Sequence, residues 1–339
     1  MKILLKYKME KILKKLKDNM NLSFDEAKEI FTKIMNGKAS EIEMHDFLTL
    51  LSNKGEVSSE IAAGVYVLRE KSTRVNIEGA IDTCGTGGDG KNTINISSAV
   101  ALILSAYGIK IAKHGNRNIS SNCGSANLFE EMGININLNP HQIKKSLNNN
   151  NFAFMFAPNY HPAMKYVANA RKKIKQRTIF NLLGPLLNPC QVNRQIIGVF
   201  SSDVLEKYIH VLKKIKLKKA WVFHSNDGLD EISLFDKTQV YEIENEKINR
   251  FEINPNEIVS TNGKLSDILG ADAKYNKEKI IEVLKGKTNT LSQIITLNCA
   301  AGLIVSSKDK DLKNSYVMIE KFLQTGKAFN HLEKVIKND

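Results

Sequence analysis

Apolar residues recur at helical spacing through the first 75 residues and in short β-branched runs through much of the remainder. The opening stretch predicts four short helices. Residues 9–16 form an amphipathic repeat. Ser23 stands three residues before Glu26, the two ends of a capping box, ahead of Ala27, Ile30, Phe31 and Ile34. Gly37 ends that helix. Residues 41–51 predict a third, with Ile42, Phe47, Leu48, Leu50 and Leu51 on its apolar side, and Ser58 or Ser59 opens a fourth running to Leu68 and Arg69. Helices this short owe their stability to packing, so they must bury their apolar faces on one another or on a neighbour.

The pattern changes at Val75. Strands are predicted at 109–112, 152–157, 195–200 and 220–223, and helices at 94–107, 126–132, 162–173 and 202–213. The tail is predicted helical over 277–285, 291–303 and 312–335. This alternation predicts an α/β fold with a mostly parallel central sheet flanked by helices. No internal repeat or low-complexity linker interrupts it. The polar region 237–276 shows no readable period.

Composition narrows the setting. A chain of 339 residues, 42% of them hydrophobic, can bury a sizeable core in one large domain with a smaller one attached. Cys84, Cys123, Cys190 and Cys299 are far apart and form no CxxC pair, which argues against disulfides and structural zinc and fits a reduced cytoplasmic setting. The first residues lack a signal-type apolar region, and no apolar run reaches the roughly 18 residues of a membrane span. A soluble protein is expected. The formal charge of +13 suits either a polyanionic partner or simply a lysine- and asparagine-rich composition. Aromatics do not interleave with the basic runs and no zinc-finger or helix-turn-helix pattern occurs, so nucleic acid is not expected.

The candidate chemistry begins at Asp82-Thr83-Cys84-Gly85-Thr86-Gly87-Gly88-Asp89-Gly90, four glycines and two aspartates in nine positions. Such glycines let consecutive N–H groups close around a phosphate or pyrophosphate, with the N-terminus of the following helix behind them. Asn95-Ile96-Ser97-Ser98 follows, where the hydroxyls serve as helix caps or reach phosphate or a hydrated cation. Lys113-His114-Gly115-Asn116-Arg117 sits directly after the strand 109–112, where open α/β sheets gather ligands. Ser120-Ser121-Asn122-Cys123-Gly124-Ser125 opens a helix as a second anion cup, or Ser125 is a plain N-cap. Asp227-Gly228-Leu229-Asp230-Glu231 offers hard oxygen ligands for Mg²⁺, or is a solvated acidic turn. His161-Pro162, Arg171 and the rigid stretch from Asn181 through Gly184 to Pro189 complete the set. Arg171 suits either an acidic second substrate or a structural ion pair.

Taken together, the glycine-rich block, Lys113-His114-Gly115-Asn116-Arg117, His161-Pro162-Ala163-Met164-Lys165 and Arg177-Thr178-Ile179-Phe180-Asn181 resemble the anthranilate phosphoribosyltransferases, and Lys54-Gly55-Glu56 and Thr325-Gly326-Lys327-Ala328 extend the likeness over nearly the whole chain. The resemblance implies a helical domain of residues 1–75 with about 171–190, and an α/β domain of 76–170 with 191–339. It implies a cytoplasmic homodimer with two Mg²⁺ per active site, phosphoribosyl pyrophosphate and anthranilate as substrates, and a place in tryptophan biosynthesis. Carried over by position, Gly85, Thr86, Gly87, Gly88, Asp89, Asn95, Ser97, Ser98, Lys113 and Ser125 hold the phosphoribosyl donor. Ser97, Asp230 and Glu231 contact magnesium. Gly85, Asn116, His161, Arg171 and Gly184 line the anthranilate route, and Lys113 and His114 are the catalytic candidates. Four departures stand out: Ser98 for Thr, Asn127 for Asp, Lys175 for Gly and Ser225 for Gly. The pyrimidine nucleoside phosphorylases and a non-catalytic nucleic-acid-binding relative are the competing readings.

Overall fold

The computed structural model describes residues 2–117 and 123–338, with side chains from Met9 onward. Two compact units emerge, Met1–Thr73 with Pro158–Leu187, and Arg74–Ala157 with Asn188–Asp339.

The first unit is helical. Lys2–Lys17, Phe24–Met35, Glu41–Lys54 and Ser58–Lys71 are joined by the short helices Ala168–Lys173 and Ile179–Leu183. The capping box of Ser23 and Glu26 forms as expected, and Ser40 with Glu43 makes a second. Phe31 is the hub of the core, with Phe47 and Phe180 edge-on at 5.6 and 6.4 Å between centroids. Ser58 and Ser59 are not caps. Val57 takes the N-cap position, and the Ser59 hydroxyl donates to the Leu22 carbonyl at 3.0 Å. Glu60 does the capping instead. Its buried carboxylate accepts from the N–H groups of Leu22 and Val57, both at 2.9 Å, and from Lys54 Nζ at 3.1 Å.

Residues 158–170 fall in this helical unit, not in the larger one as the sequence suggested. The cause is local: Tyr160 is buried and its carbonyl accepts from Thr73 N–H at 2.8 Å, so the chain is tied to the bundle before Pro162.

Among the described residues the second unit holds seven strands: β1 Asp82–Gly85, β2 Ile111–Gly115, β3 Phe152–Phe156, β4 Arg194–Gly198, β5 Lys219–Ser225, β6 Thr238–Glu244 and β7 Lys247–Ile253. One sheet runs β1-β4-β5-β6-β7 and a separate pair joins β2 to β3. The pairs β1–β4, β4–β5 and β2–β3 are parallel, as expected, while β5–β6 and β6–β7 are antiparallel. An Ile81–Ile111 bridge links the two sheets. The helices Ile96–Ala106 and Thr290–Val305, buried along nearly their whole lengths, form the centre of the core.

Three expectations need correction. Strand β2 continues through Lys113 and His114, because both are buried and paired in register with Phe154 and Met155. The polar 237–276 region holds the β6–β7 hairpin. Its turn is Asn245-Glu246, both left-handed (φ 48° and 68°), a conformation hairpins favour but usually fill with glycine. The tail 312–335 is two helices, Leu312–Gln324 and Lys327–Asn338, parted at Gly326 by a φ of 68°. A further helix, Pro140–Asn150, precedes β3, with Asn139 as N-cap and Pro140 in its first turn.

Candidate active site

The glycine-rich turn, the head of the Ile96–Ala106 helix, β2 and the 227–231 loop meet at the carboxyl ends of β1, β4 and β5. Thr86 N–H donates to Gly198 O at 2.9 Å and its hydroxyl accepts from Phe200 N–H at 3.0 Å, which pins the turn to the end of β4. Asp230 lies across the same strand ends. Its Oδ2 accepts from Gly87 N–H at 2.9 Å, and its own N–H donates to Asp89 Oδ2 at 3.4 Å. The fit is tight: a Cβ on Gly198 would lie 1.6 Å from Asp230 O, and one on Gly85 would lie 2.7 Å from Asp230 Oδ2. Glu231 Oε1 accepts from Ser97 N–H at 3.2 Å. The Gly87 amide of the glycine-rich turn and the Ser97 amide at the helix head are therefore already turned toward protein carboxylates.

Burial, then the charge of Asp89, pushes the Asp230 carboxyl up to about 7. Burial and then the charge of Asp230 push Glu231 well above the usual carboxylate range, opposed by Lys113. These are carboxylates short of positive charge. Among the described residues no three His, Cys, Asp or Glu side chains form a ready metal cage. Two carboxylates with the Ser97 hydroxyl nonetheless fit magnesium, which takes few protein oxygens and completes its shell with water and substrate phosphates.

Lys113 is 2% exposed, and its ammonium donates to Thr83 O and to Ser97 Oγ, the latter at 3.4 Å. Burial lowers its pKa and the neighbouring charge of Asp82 supports it. Asp82 is wholly buried and accepts from Asn188 Nδ2 at 2.7 Å and His114 N–H at 3.4 Å. Asn188 also donates to Ala112 O at 2.7 Å. Neither Asp82 nor Asn188 was assigned a role from the sequence. A lone aspartate entering an apolar strand was the available signal for the first.

Asn95 heads the Ile96–Ala106 helix but makes no side-chain cap. Ser98 is 1% exposed and its hydroxyl finds no partner among the described residues. Ser125 Oγ donates to Asn116 O at 3.4 Å, joining the end of the lysine block to the second anion cup. Ser120, Ser121 and Asn122 of that cup lie outside the described residues. A groove of about 740 Å³ around Trp221 and Phe251 opens at the start of β5, beside Lys219, and holds none of these groups.

In the helical unit, His161 is buried and its pKa is lowered to about 4, chiefly by that burial. The Arg171 guanidinium lies 5.0 Å from the Phe180 ring centroid and has no carboxylate partner among the described residues. Gly184 has a φ of −44° and open space where a Cβ would be, so neither backbone nor packing demands glycine there.

Residues 78–329 match the glycosyl transferase family a/b domain, and residues 10–72 match the helical bundle domain of the same family. An anthranilate phosphoribosyltransferase of Pelagibacter ubique is 50% identical over 96% of this chain and 99% of its own. The chain belongs to the anthranilate phosphoribosyltransferases.

Solved structures of anthranilate phosphoribosyltransferase agree. That from Thermus thermophilus has a TM-score of 0.89 at 32% identity, covering 96% of this chain and 98% of its own. The enzyme from Saccharomyces cerevisiae, in complex with phosphoribosyl pyrophosphate and Mg, has a TM-score of 0.90 at 28% identity, covering 97% of each chain. The departures from the transferase pattern are accommodated locally. Asn127 Oδ1 still accepts from Gly124 N–H at 3.3 Å, closing the turn that opens its helix. Ser225 ends β5 and donates to Lys237 O at 3.2 Å, and Lys175 is exposed. No helix is long and apolar enough to cross a membrane among the described residues.

Proposed function

We propose that this transferase moves the 5-phosphoribosyl group of phosphoribosyl pyrophosphate onto the amino group of anthranilate, giving N-(5-phosphoribosyl)anthranilate and pyrophosphate, as a magnesium-dependent step of tryptophan biosynthesis. The observation that carries the residue assignment is the charge arrangement at the strand ends. Asp230 and Glu231 are held on the amides of Gly87 and Ser97, with Lys113 beside Ser97.

Gly85, Thr86, Gly87, Gly88, Asp89, Asn95, Ser97, Ser98, Lys113 and Ser125 hold the donor. Cleaving C1 from pyrophosphate leaves positive charge on the ribose and negative charge on the leaving group. Lys113 stabilises the leaving group electrostatically, beside the turn whose Gly87 N–H holds Asp230. Ser97, Asp230 and Glu231 would hold magnesium, two ions per site, which would supply charge neutralisation to the leaving group. The amine attacks the opposite face and inverts C1 with no covalent enzyme intermediate, so positioning contributes most. His114 is assigned to proton transfer from the attacking amine.

Gly85, Asn116, His161, Arg171 and Gly184 serve anthranilate. Arg171, without an acidic partner among the described residues, suits the carboxylate. At Gly184 the absent side chain leaves room for the acceptor. The protein works as a cytoplasmic homodimer and takes no nucleic acid.

The test is anthranilate fluorescence in the presence of phosphoribosyl pyrophosphate, with pyrophosphate measured in parallel. Decay that needs both the donor and Mg²⁺, with stoichiometric pyrophosphate, is expected. A folded protein that gives no decay overturns the reading.

A further inference from the structure

Asn276 is 1% exposed and lies in the Ala273–Leu284 helix, far along the chain from the glycine-rich turn. Its amide nevertheless stands at the centre of a hydrogen-bond chain of fixed polarity. Ala271 N–H donates to Asn276 Oδ1 at 2.9 Å, Asn276 Nδ2 donates to Asn95 Oδ1 at 2.9 Å, and Asn95 Nδ2 donates to Cys123 O at 2.8 Å. Asparagine at the head of a helix ordinarily turns its oxygen onto the second or third N–H of that helix. Asn95 forgoes that cap and spends both ends of its amide across the site.

The platform beneath the chain is firm. Gly270 N–H donates to Asn92 O at 2.8 Å and Ile94 N–H donates to Ile268 O at 2.9 Å, so residues 268–270 run alongside 92–94. Because Ala271 occupies the Asn276 oxygen, only the Asn276 NH₂ can face Asn95. That leaves the Asn95 NH₂ to hold the Cys123 carbonyl, two residues before Ser125.

We infer that Asn276 is a positioning residue for the phosphoribosyl donor, locking Asn95 so that the glycine-rich turn and the Ser125 cup keep a fixed spacing. This rests on the assignment of Asn95 and Ser125 to the donor under the proposed function. A buried neutral hydrogen bond of this kind is worth about tenfold in binding.

The experiment measures KM for each substrate, kcat and thermal midpoint in Asn276→Ala, Asn276→Asp, Asn95→Ala and the double variant Asn95→Ala with Asn276→Ala. Asn276→Asp keeps the acceptor for Ala271, removes the NH₂ that faces Asn95 and the Cys123 thiol, and sets a carboxylate oxygen against Asn95 Oδ1, so it reports the relay even where the alanine variant folds poorly. Expected is a rise of about tenfold in KM for phosphoribosyl pyrophosphate in every variant, under about twofold for anthranilate, and a double variant no worse than Asn95→Ala alone. Multiplying effects in the double variant, or equal rises for both substrates, overturn the relay while leaving Asn95 a donor contact. An unchanged donor KM in Asn95→Ala overturns the Asn95 assignment and the relay with it.

Discussion

Gly198 leaves no room for a side chain, because the Asp230 carbonyl occupies the place of its Cβ. Gly198→Ala is therefore expected to push the acidic loop away from the glycine-rich turn. Overpacking of this kind costs roughly 1–3 kcal/mol, and activity should fall much further than the thermal midpoint. Unchanged kcat/KM in the alanine variant would contradict that geometry. Arg171 offers a second test at this scale. Arg171→Ala should raise KM for anthranilate by about tenfold or more and leave KM for phosphoribosyl pyrophosphate nearly unchanged, since a charge-assisted hydrogen bond is worth about twice a neutral one. Initial rates with one substrate varied at a time decide it. Much of this residue-level chemistry was legible, because glycines, lysine and acids at strand ends point to a phosphate and a cation. Asp82 and Asn188 were not. Their importance comes from burial against Lys113 and from a separation of 106 positions along the chain, which no local pattern records.

Among the elements, the Ser58–Lys71 helix depends on one buried carboxylate. Glu60 closes the helix start, satisfies Leu22 N–H and neutralises Lys54, whose side chain is 4% exposed. Glu60→Ala leaves a buried ammonium without its partner, and a loss of about 3–5 kcal/mol is expected, read as an early transition of the helical unit in urea. Glu60→Gln, which keeps an acceptor but no charge, should recover part of it. The same helix shows why element boundaries read from sequence drift. Two serines look like caps, yet the distal carboxylate does the work and frees Ser59 to reach Leu22. The Ser23–Glu26 box, in contrast, was legible because both of its partners lie within one turn. The β6–β7 hairpin was hidden by a turn without glycine, and β2 by two polar side chains that the fold buries.

For the whole molecule, the helical bundle and α/β unit followed from a change of hydrophobic period near Val75. The return of about 171–190 followed from the family resemblance, but that of 158–170 did not, because a tie such as Thr73 to Tyr160 is visible only in three dimensions. Acid stability is a property at this scale. His161 and His331 both have pKa values lowered to about 4, mainly by burial. Unfolded, each titrates near 6.5, so as pH falls through the window from 6.5 to 4 the unfolded chain takes up protons that the folded one refuses. Their contribution to stability is complete above that window and is lost on descending through it. Asp230, raised to about 7, acts in the opposite sense over the same range, so the comparison must be between variants. His331→Phe should show a shallower fall in unfolding midpoint between pH 6.5 and 4 than the parent protein. Parallel curves would contradict the assignment.

In the proposed reaction Asp230 and Glu231 serve the pyrophosphate through magnesium beside the glycine-rich turn. The most direct measurement is kcat/KM for phosphoribosyl pyrophosphate as a function of Mg²⁺ concentration in the parent protein, Asp230→Asn and Glu231→Gln. Each variant should lose activity at low Mg²⁺ and recover much of it at high Mg²⁺, moving the half-saturating concentration upward by about tenfold or more. The same Mg²⁺ dependence in all three proteins would contradict it.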